Sequence, residues 1–304
     1  MTDTDTARGV LLGLACGDAL GRPIEFKSAR RIDNEHGTVT EMLGDGAHGQ
    51  PPGTITDDAE MALCIARSLA DCGTFDPADV AGRFLDWYRS DPFDIGLMTV
   101  DALRHLRDGA SWDEAGQTVW EQRPEGQNAG NGSVMRCAPL AVAYGDDPAR
   151  LADVSRQSSR ITHADPRCTV GCAVLNLTIA GVRDGSPSPL ADALGHLGDD
   201  VPDELGAALD AIAAGESPPE LPTSGYVVHT LQTALHDGLR AADAETAIVT
   251  AVNRGGDTDT IGAVTGAVAG ARFGESGLPD RWLAALDGTT ELRSLADTLS
   301  SLSD

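Results

Sequence analysis

Lysine is all but missing from this chain. Lys27 is the only one, arginine supplies the rest of the 22 cationic residues, and 47 acidic residues face them for a formal net charge of −25. A surface so short of positive charge repels phosphate backbones, which argues against nucleic-acid binding. The acidic residues are interspersed with apolar periodicity rather than run together, so the charge does not imply disorder. Self-repulsion on this scale is tolerated where salt screens it and carboxylates hold water, and the composition therefore predicts a halophilic protein adapted to a high-salt cytosol. It is expected to unfold as salt is withdrawn; a melting temperature independent of salt would contradict this. Aromatic residues make up only 4% of the chain, which leaves small aliphatic side chains to build the core, and mean hydropathy is −0.15. No apolar run approaches the roughly 18 residues that a bilayer-spanning helix needs. The opening Met1-Thr-Asp-Thr-Asp5 is acidic where a secretory signal is basic, and no apolar segment with a cleavage site follows it. A cytoplasmic location without membrane association is expected.

The six cysteines contain no C-x-x-C pair of the zinc or redox kind. Cys168 and Cys172 share a helix face and with His163 offer a candidate site, but buried, reduced thiols are the expected reading. Runs of alternating β-branched residues are also lacking; Gly37-Thr-Val-Thr-Glu-Met42 is the best strand candidate, and a weak one. No linker divides the chain and no period of 20–50 residues repeats, which predicts one domain over residues 1–304 rather than a solenoid.

What the chain does have is helical periodicity. Val10, Leu11, Leu14 and Ala15 recur at helical spacing, and Gly17–Gly21 closes that segment. Met61, Ala62, Ile65 and Leu69 make a second stripe. Further stripes run over 80–87, 95–106, 151–159, 170–182, 205–214, 227–239, 244–252 and 261–273, with turns such as Asp91-Pro92 and Asp146-Asp147-Pro148 between them. The fold class is all-α, a helical bundle.

Two acidic clusters stand out. Gly53-Thr-Ile-Thr56-Asp57-Asp58-Ala-Glu60 precedes the stripe at Met61, and Gly255-Gly256-Asp257-Thr258-Asp259-Thr260 precedes the helix through Phe273. Either one alone reads equally well as a helix cap, because Thr and Asp favour the N-cap and acids favour the first turn. Together they explain less as caps: a cap needs one oxygen, and four aspartates with flanking threonines are present. If the two helix starts converge, their carboxylates cannot all stay ionised without cations. An oxygen-only donor set suits Mg²⁺ or Mn²⁺ rather than zinc, and two such ions fit a shared site.

At these residues the chain resembles the ADP-ribosylglycohydrolase family, which includes the dinitrogenase-reductase-activating glycohydrolases. The landmarks run in order from Gly9 to about Gly274. They are Gly13-Leu-Ala-Cys-Gly-Asp-Ala-Leu-Gly21 with Glu25, Thr56-Asp57-Asp58, Gly130-Asn131-Gly132-Ser-Val-Met135-Arg136, Thr162-His163, Ser224-Gly225-Tyr226, and Gly256-Asp257-Thr258-Asp259-Thr260. The resemblance implies a single orthogonal bundle of helices with two Mg²⁺ or Mn²⁺ ions in a central cleft, held by Thr56, Asp57, Asp58, Asp257, Asp259 and Thr260. It implies an enzyme that hydrolyses the glycosidic bond between ADP-ribose and an acceptor, reversing ADP-ribosylation, with Glu25, Asp57 or Asp259 as general acid or base. Its substrate would be an ADP-ribosylated protein or a small-molecule ADP-ribose conjugate. The substrate contacts it implies are Asn128, Gly130, Asn131, Gly132, Ser133, Met135, His163 and Tyr226, with the Gly130–Ser133 turn opening a helix whose free N–H groups suit a diphosphate and Tyr226 at the adenosine end. Members acting on ADP-ribosyl-arginine often carry an aspartate where this chain has Asn128, which departs from the arginine-specific pattern. Two other functions fit the same acidic clusters: a metal-dependent phosphohydrolase of nucleotides or sugar phosphates, and a non-catalytic ADP-ribose-binding protein on the same fold.

Overall fold

Of the two Asp-Pro turns read in the sequence, Asp91-Pro92 is irregular chain between helices, whereas Asp147-Pro148 starts a helix, as does Asp165-Pro166. Asp147 accepts from the backbone N–H of Arg150 with Pro148 in the first turn, and Asp165 does the same for Arg167 with Pro166 behind it. The computed structural model describes residues 3–302, and among these it contains sixteen α-helices and no strand. They are α1 (Asp3–Gly21), α2 (Ala29–His36), α3 (Asp57–Cys72), α4 (Pro77–Arg89), α5 (Leu97–Arg107), α6 (Trp112–Gln122), α7 (Pro139–Tyr144) and α8 (Pro148–Arg160), followed by α9 (Pro166–Arg183), α10 (Pro189–Leu197), α11 (Asp203–Ala213), α12 (Val227–Arg240), α13 (Ala244–Val252), α14 (Thr258–Phe273), α15 (Asp280–Ala285) and α16 (Thr289–Ser300). The strand candidate at 37–42 is irregular chain. Asn253, just after α13, clamps it: Val39 N–H donates to Asn253 Oδ1 at 2.8 Å, and Asn253 Nδ2 donates to Val39 O at 2.9 Å. No helix among the described residues is long and apolar enough to cross a membrane.

The centre of the bundle is a pair of helices packed backbone to backbone. Gly9, Gly13, Gly17 and Gly21 recur every four residues on α1 and so lie along one face. They meet Gly270, Gly266, Gly262 and Thr258 of α14 in reverse order, so the two helices run antiparallel. A Cβ built on Gly9, Gly13 or Gly17 would collide with the facing carbonyl group, well inside the 3.0 Å that real Cβ atoms essentially never enter. Only glycine permits this approach. The helix therefore continues through Gly17 to Gly21 instead of breaking there. Thr258 closes the seam by donating its hydroxyl to Gly21 O at 2.8 Å.

This pairing fixes what happens at its end. The start of α14, with Asp257 and Asp259, is held against the last turn of α1, and Asp18 of that helix faces the start of α3. α14 is buried from Thr258 to Ala271, which explains an apolar composition all round the helix. Five of the six cysteines are buried and none forms a disulfide. Cys168 donates to Gly130 O at 3.2 Å, in agreement with a packed thiol.

Candidate active site

The two acidic clusters meet. Asp57, Asp58, Asp257, Asp259 and Thr260 line one cleft of about 910 Å³ together with Glu25 and Asp94. Thr260 Oγ1 stands 3.4 Å from Asp58 Oδ2 across the two helix starts. Glu25, Asp257 and Asp259 each offer an oxygen within 4.8 Å of the others.

Whether these carboxylates are caps can be read from their hydrogen bonds. At α3 most of the capping is done from outside, by Asp18. Its carboxylate accepts from Thr56 N–H at 3.0 Å, from Ala59 N–H at 3.1 Å and from the Thr56 hydroxyl at 2.9 Å. Thr56 itself contributes a 3.4 Å bond from Asp58 N–H. Asp57 and Asp58 are thereby released from the role, and Asp58 Oδ1 is buried with no hydrogen-bond partner among the described residues. The Thr56 proton goes to Asp18, which with the bond from Asp58 N–H leaves one lone pair on Oγ1. At α14, Asp257 occupies the N-cap position but makes no capping bond; its Oδ2 accepts from Asn131 Nδ2 at 2.6 Å.

Burial pushes Asp57, Asp58 and Asp259 well above the usual carboxylate range. Neighbouring charge adds to it: Asp94 and Asp18 on Asp57, Asp18 and Asp57 on Asp58, Glu25 and Asp58 on Asp259. Glu25 rises to about 9 through burial first, then the charges of Asp94, Asp257 and Asp57. A buried oxygen without a partner, crowded carboxylates and an all-oxygen donor set fit hard divalent cations.

No local pattern marks Asp18 as a site residue, yet its carboxylate is the keystone of the start of α3. Asp18→Ala would strand the N–H groups of Thr56 and Ala59, an expected loss of about 2 kcal/mol. We expect urea denaturation to record that loss and activity to fall because the Thr56 hydroxyl is no longer oriented. Asp18→Asn keeps an acceptor and should recover most of the stability.

On the opposite wall, Gly130, Asn131, Gly132, Met135, His163 and Tyr226 line the same cleft. The turn at Gly130 does not open a helix. Residues 132–136 form hydrogen-bonded turns in which Asn131 O accepts from Val134 N–H at 3.0 Å and Met135 N–H at 3.3 Å, and α7 begins only at Pro139. The glycines serve a different end, since a Cβ on Gly132 would stand 2.8 Å from His163 Cε1, so the bare backbone makes room for that ring. Asn131 pins the turn: its N–H donates to Gly225 O at 3.1 Å and its Nδ2 to Thr230 Oγ1 at 2.9 Å.

His163 is buried and neutral, lowered to about 3 by burial and by the positive charges of Arg136 and Arg123. Arg136 donates to Thr162 Oγ1 at 2.7 Å, and that hydroxyl lies 2.7 Å from His163 Nδ1. Thr162 accepts from the arginine and retains its own proton to give to Nδ1. In that arrangement the imidazole hydrogen sits on Nε2, the atom beside Gly130 and Gly132.

Two expected substrate contacts lie behind this wall. Asn128 Oδ1 accepts from Arg167 Nη2 at 3.4 Å, and Ser133 Oγ accepts from Ser159 at 2.9 Å; neither lines the cleft. Arg167 also donates to the Tyr226 hydroxyl at 3.1 Å and to Asp165. His48 and Asp94, with no signal in the sequence, arrive on separate segments; His48 contacts Glu25 and Asp94, and Asp94 lines the cleft. A buried Arg22 organises the first of these by donating to the backbone carbonyls of Leu43, Asp45, Gln50, Pro51 and Thr54.

Known proteins share this architecture. A family model described as ADP-ribosylglycohydrolase matches residues 1–304. The ADP-ribosyl-[dinitrogen reductase] glycohydrolase of Rhodospirillum rubrum is 35% identical over 98% of this chain and 96% of its own length. The ADP-ribosylarginine hydrolase Tri1 of Serratia proteamaculans (strain 568) is 33% identical over 97% of this chain and 79% of its own. A solved structure, an ADP-ribosylglycohydrolase-related protein complex, superposes with a TM-score of 0.84 at 38% identity, covering 99% of both chains.

Proposed function

The chain belongs to the ADP-ribosylglycohydrolase family, and from that membership we propose that it hydrolyses the bond between ADP-ribose and an acceptor side chain with the help of two divalent cations. It is an enzyme that cleaves glycosidic bonds. The observation that carries the metal reading is the meeting of two helix starts whose aspartates are not spent on capping, with Asp58 Oδ1 left without a partner among the described residues.

Thr56, Asp57, Asp58, Asp257, Asp259 and Thr260 would hold the cations, and Mg²⁺ or Mn²⁺ suits their oxygens. Bound there, such ions supply positive charge that neutralises the carboxylates, orients ribose hydroxyls and makes water more acidic. The remaining steps belong to the chain. Hydrolysis places a water hydroxyl on the anomeric carbon and a proton on the departing acceptor, and Glu25, Asp57 or Asp259 serves as general base or acid. Positive oxocarbenium character at the ribose is stabilised by the surrounding carboxylates. Opposite them, His163 Nε2–H donates to the ligand from a fixed, uncharged ring. The Tyr226 ring, braced by the Arg167 guanidinium at 5.6 Å, offers a face for the adenine.

The test is a panel of ADP-ribosyl conjugates of arginine, serine and small molecules, incubated in high salt with each metal. Release of free ADP-ribose is the expected product. Inorganic phosphate in its place would identify a phosphohydrolase, and binding without turnover a non-catalytic ADP-ribose binder.

A further inference from the structure

We propose that His48 is a positioning residue, tying Glu25 to Asp94 so that the Glu25 carboxylate stays beside Asp257 and Asp259. The proposal rests on the hydrolase reading for its kinetic consequences. His48 Nε2 lies 3.2 Å from Glu25 Oε2 and 3.4 Å from Asp94 Oδ2, so one ring nitrogen faces two carboxylates. Phe93 packs against the imidazole with ring centroids 5.3 Å apart.

The three side chains arrive on three separate loops, and each loop contains one non-glycine residue in the left-handed region. These are Phe26 (φ 60), Asp45 (φ 63) and Asp91 (φ 61), the only three such residues among those described. Left-handed backbone costs free energy for a residue with a Cβ, and it persists only where the surroundings over-determine it. Phe26 gains little in return, because its ring is 75% exposed. The surroundings that hold these loops are visible. Arg22 anchors the loop of His48 through five backbone carbonyls. Beside Glu25, Phe26 N–H donates to Gly256 O and Gly256 N–H to Lys27 O, each at 2.8 Å, joining this loop to the start of α14. Strain and anchoring thus converge on the point where His48 meets the two acids.

Glu25 needs such a tie. It sits on irregular chain after a single 3₁₀ turn, so no helix fixes its side chain. Without His48, the nitrogen contact that holds this carboxylate at 3.2 Å is lost. The carboxylate would then swing toward solvent and remove one oxygen from the group it shares with Asp257 and Asp259.

The experiment compares His48→Ala and His48→Gln with the wild type. Glutamine keeps an N–H donor at comparable reach. Two quantities are read: the affinity of the metal-free protein for Mn²⁺ alone by calorimetry, and kcat and KM for an ADP-ribosyl conjugate. His48→Ala is expected to lower kcat by about 10–100-fold and to weaken Mn²⁺ binding, as loss of an orienting partner next to a metal site does, with KM little changed. His48→Gln should restore most of both. Wild-type values in His48→Ala would overturn the proposal, as would equal losses in both variants together with a lowered melting temperature, which would indicate a structural role. If the wild type cleaves no conjugate, the hydrolase reading fails, and the Mn²⁺ comparison still decides the role of His48.

Discussion

Exchanging Asp257 for alanine should reduce ADP-ribose release by about 1000-fold or more and remove metal binding with it, because several kcal/mol of charge stabilisation at the reacting centre is lost. The same variant, free of metal, should melt at the wild-type temperature or higher. These two outcomes separate the metal reading from the capping one. A capping aspartate replaced by alanine costs about 1 kcal/mol of stability, and nothing requires it to affect turnover. Asp257 makes no capping bond, and its partner Asn131 Nδ2 keeps a second acceptor in Thr230 Oγ1 at 2.9 Å. Little is left unsatisfied by its removal. Burial raises Asp257 above its ordinary range, and Asp257 in turn raises Asp57, Asp58, Asp259 and Glu25, so deleting it relieves repulsion in the empty site. Calorimetric Mn²⁺ titration, the conjugate assay and thermal melting of one variant supply all three readouts.

Gly17→Ala should be among the most damaging single methyl additions in the molecule, costing about 3 kcal/mol or more. The new Cβ would enter the backbone of Gly262, where no side chain can move aside. α1 and α14 would have to separate, and the displacement would reach the site, since Asp18 and the start of α14 are positioned by this pair. Urea denaturation should show a large loss of stability or no folded protein. Gly195→Ala on α10 is the control: no atom lies within 4 Å of its added Cβ, and an exposed helical glycine gains about 1 kcal/mol on becoming alanine. Equal stabilities for the two variants would mean that the helices are not in backbone contact.

The seam between α1 and α14 was written in the sequence as glycines four apart on both segments, yet a search for apolar stripes passes over it, since glycine adds nothing to a stripe. The long helices and the two acidic clusters were legible because each carries a periodic face or a local excess of oxygen. Short amphipathic helices such as α2, α6 and α16 lack a long stripe and escaped notice. The Gly130–Ser133 turn misled in a different way: its glycines look like a helix start but exist to admit the ring of His163, over thirty positions away in the chain. Asp18, His48 and Asp94 were invisible as site residues for the same reason. Asp18 sits inside an apolar helix, and His48 and Asp94 sit in loops. What gives them meaning is a neighbour brought close by the fold, and no local pattern records that.

The central claim is that two helix starts share a pair of cations, and anomalous diffraction from crystals grown with Mn²⁺ tests it most directly. Two peaks are expected between Asp57 and Asp58 on one side and Asp257 and Asp259 on the other. No manganese there at saturating concentration, or ions bound only elsewhere on the acidic surface, would contradict it.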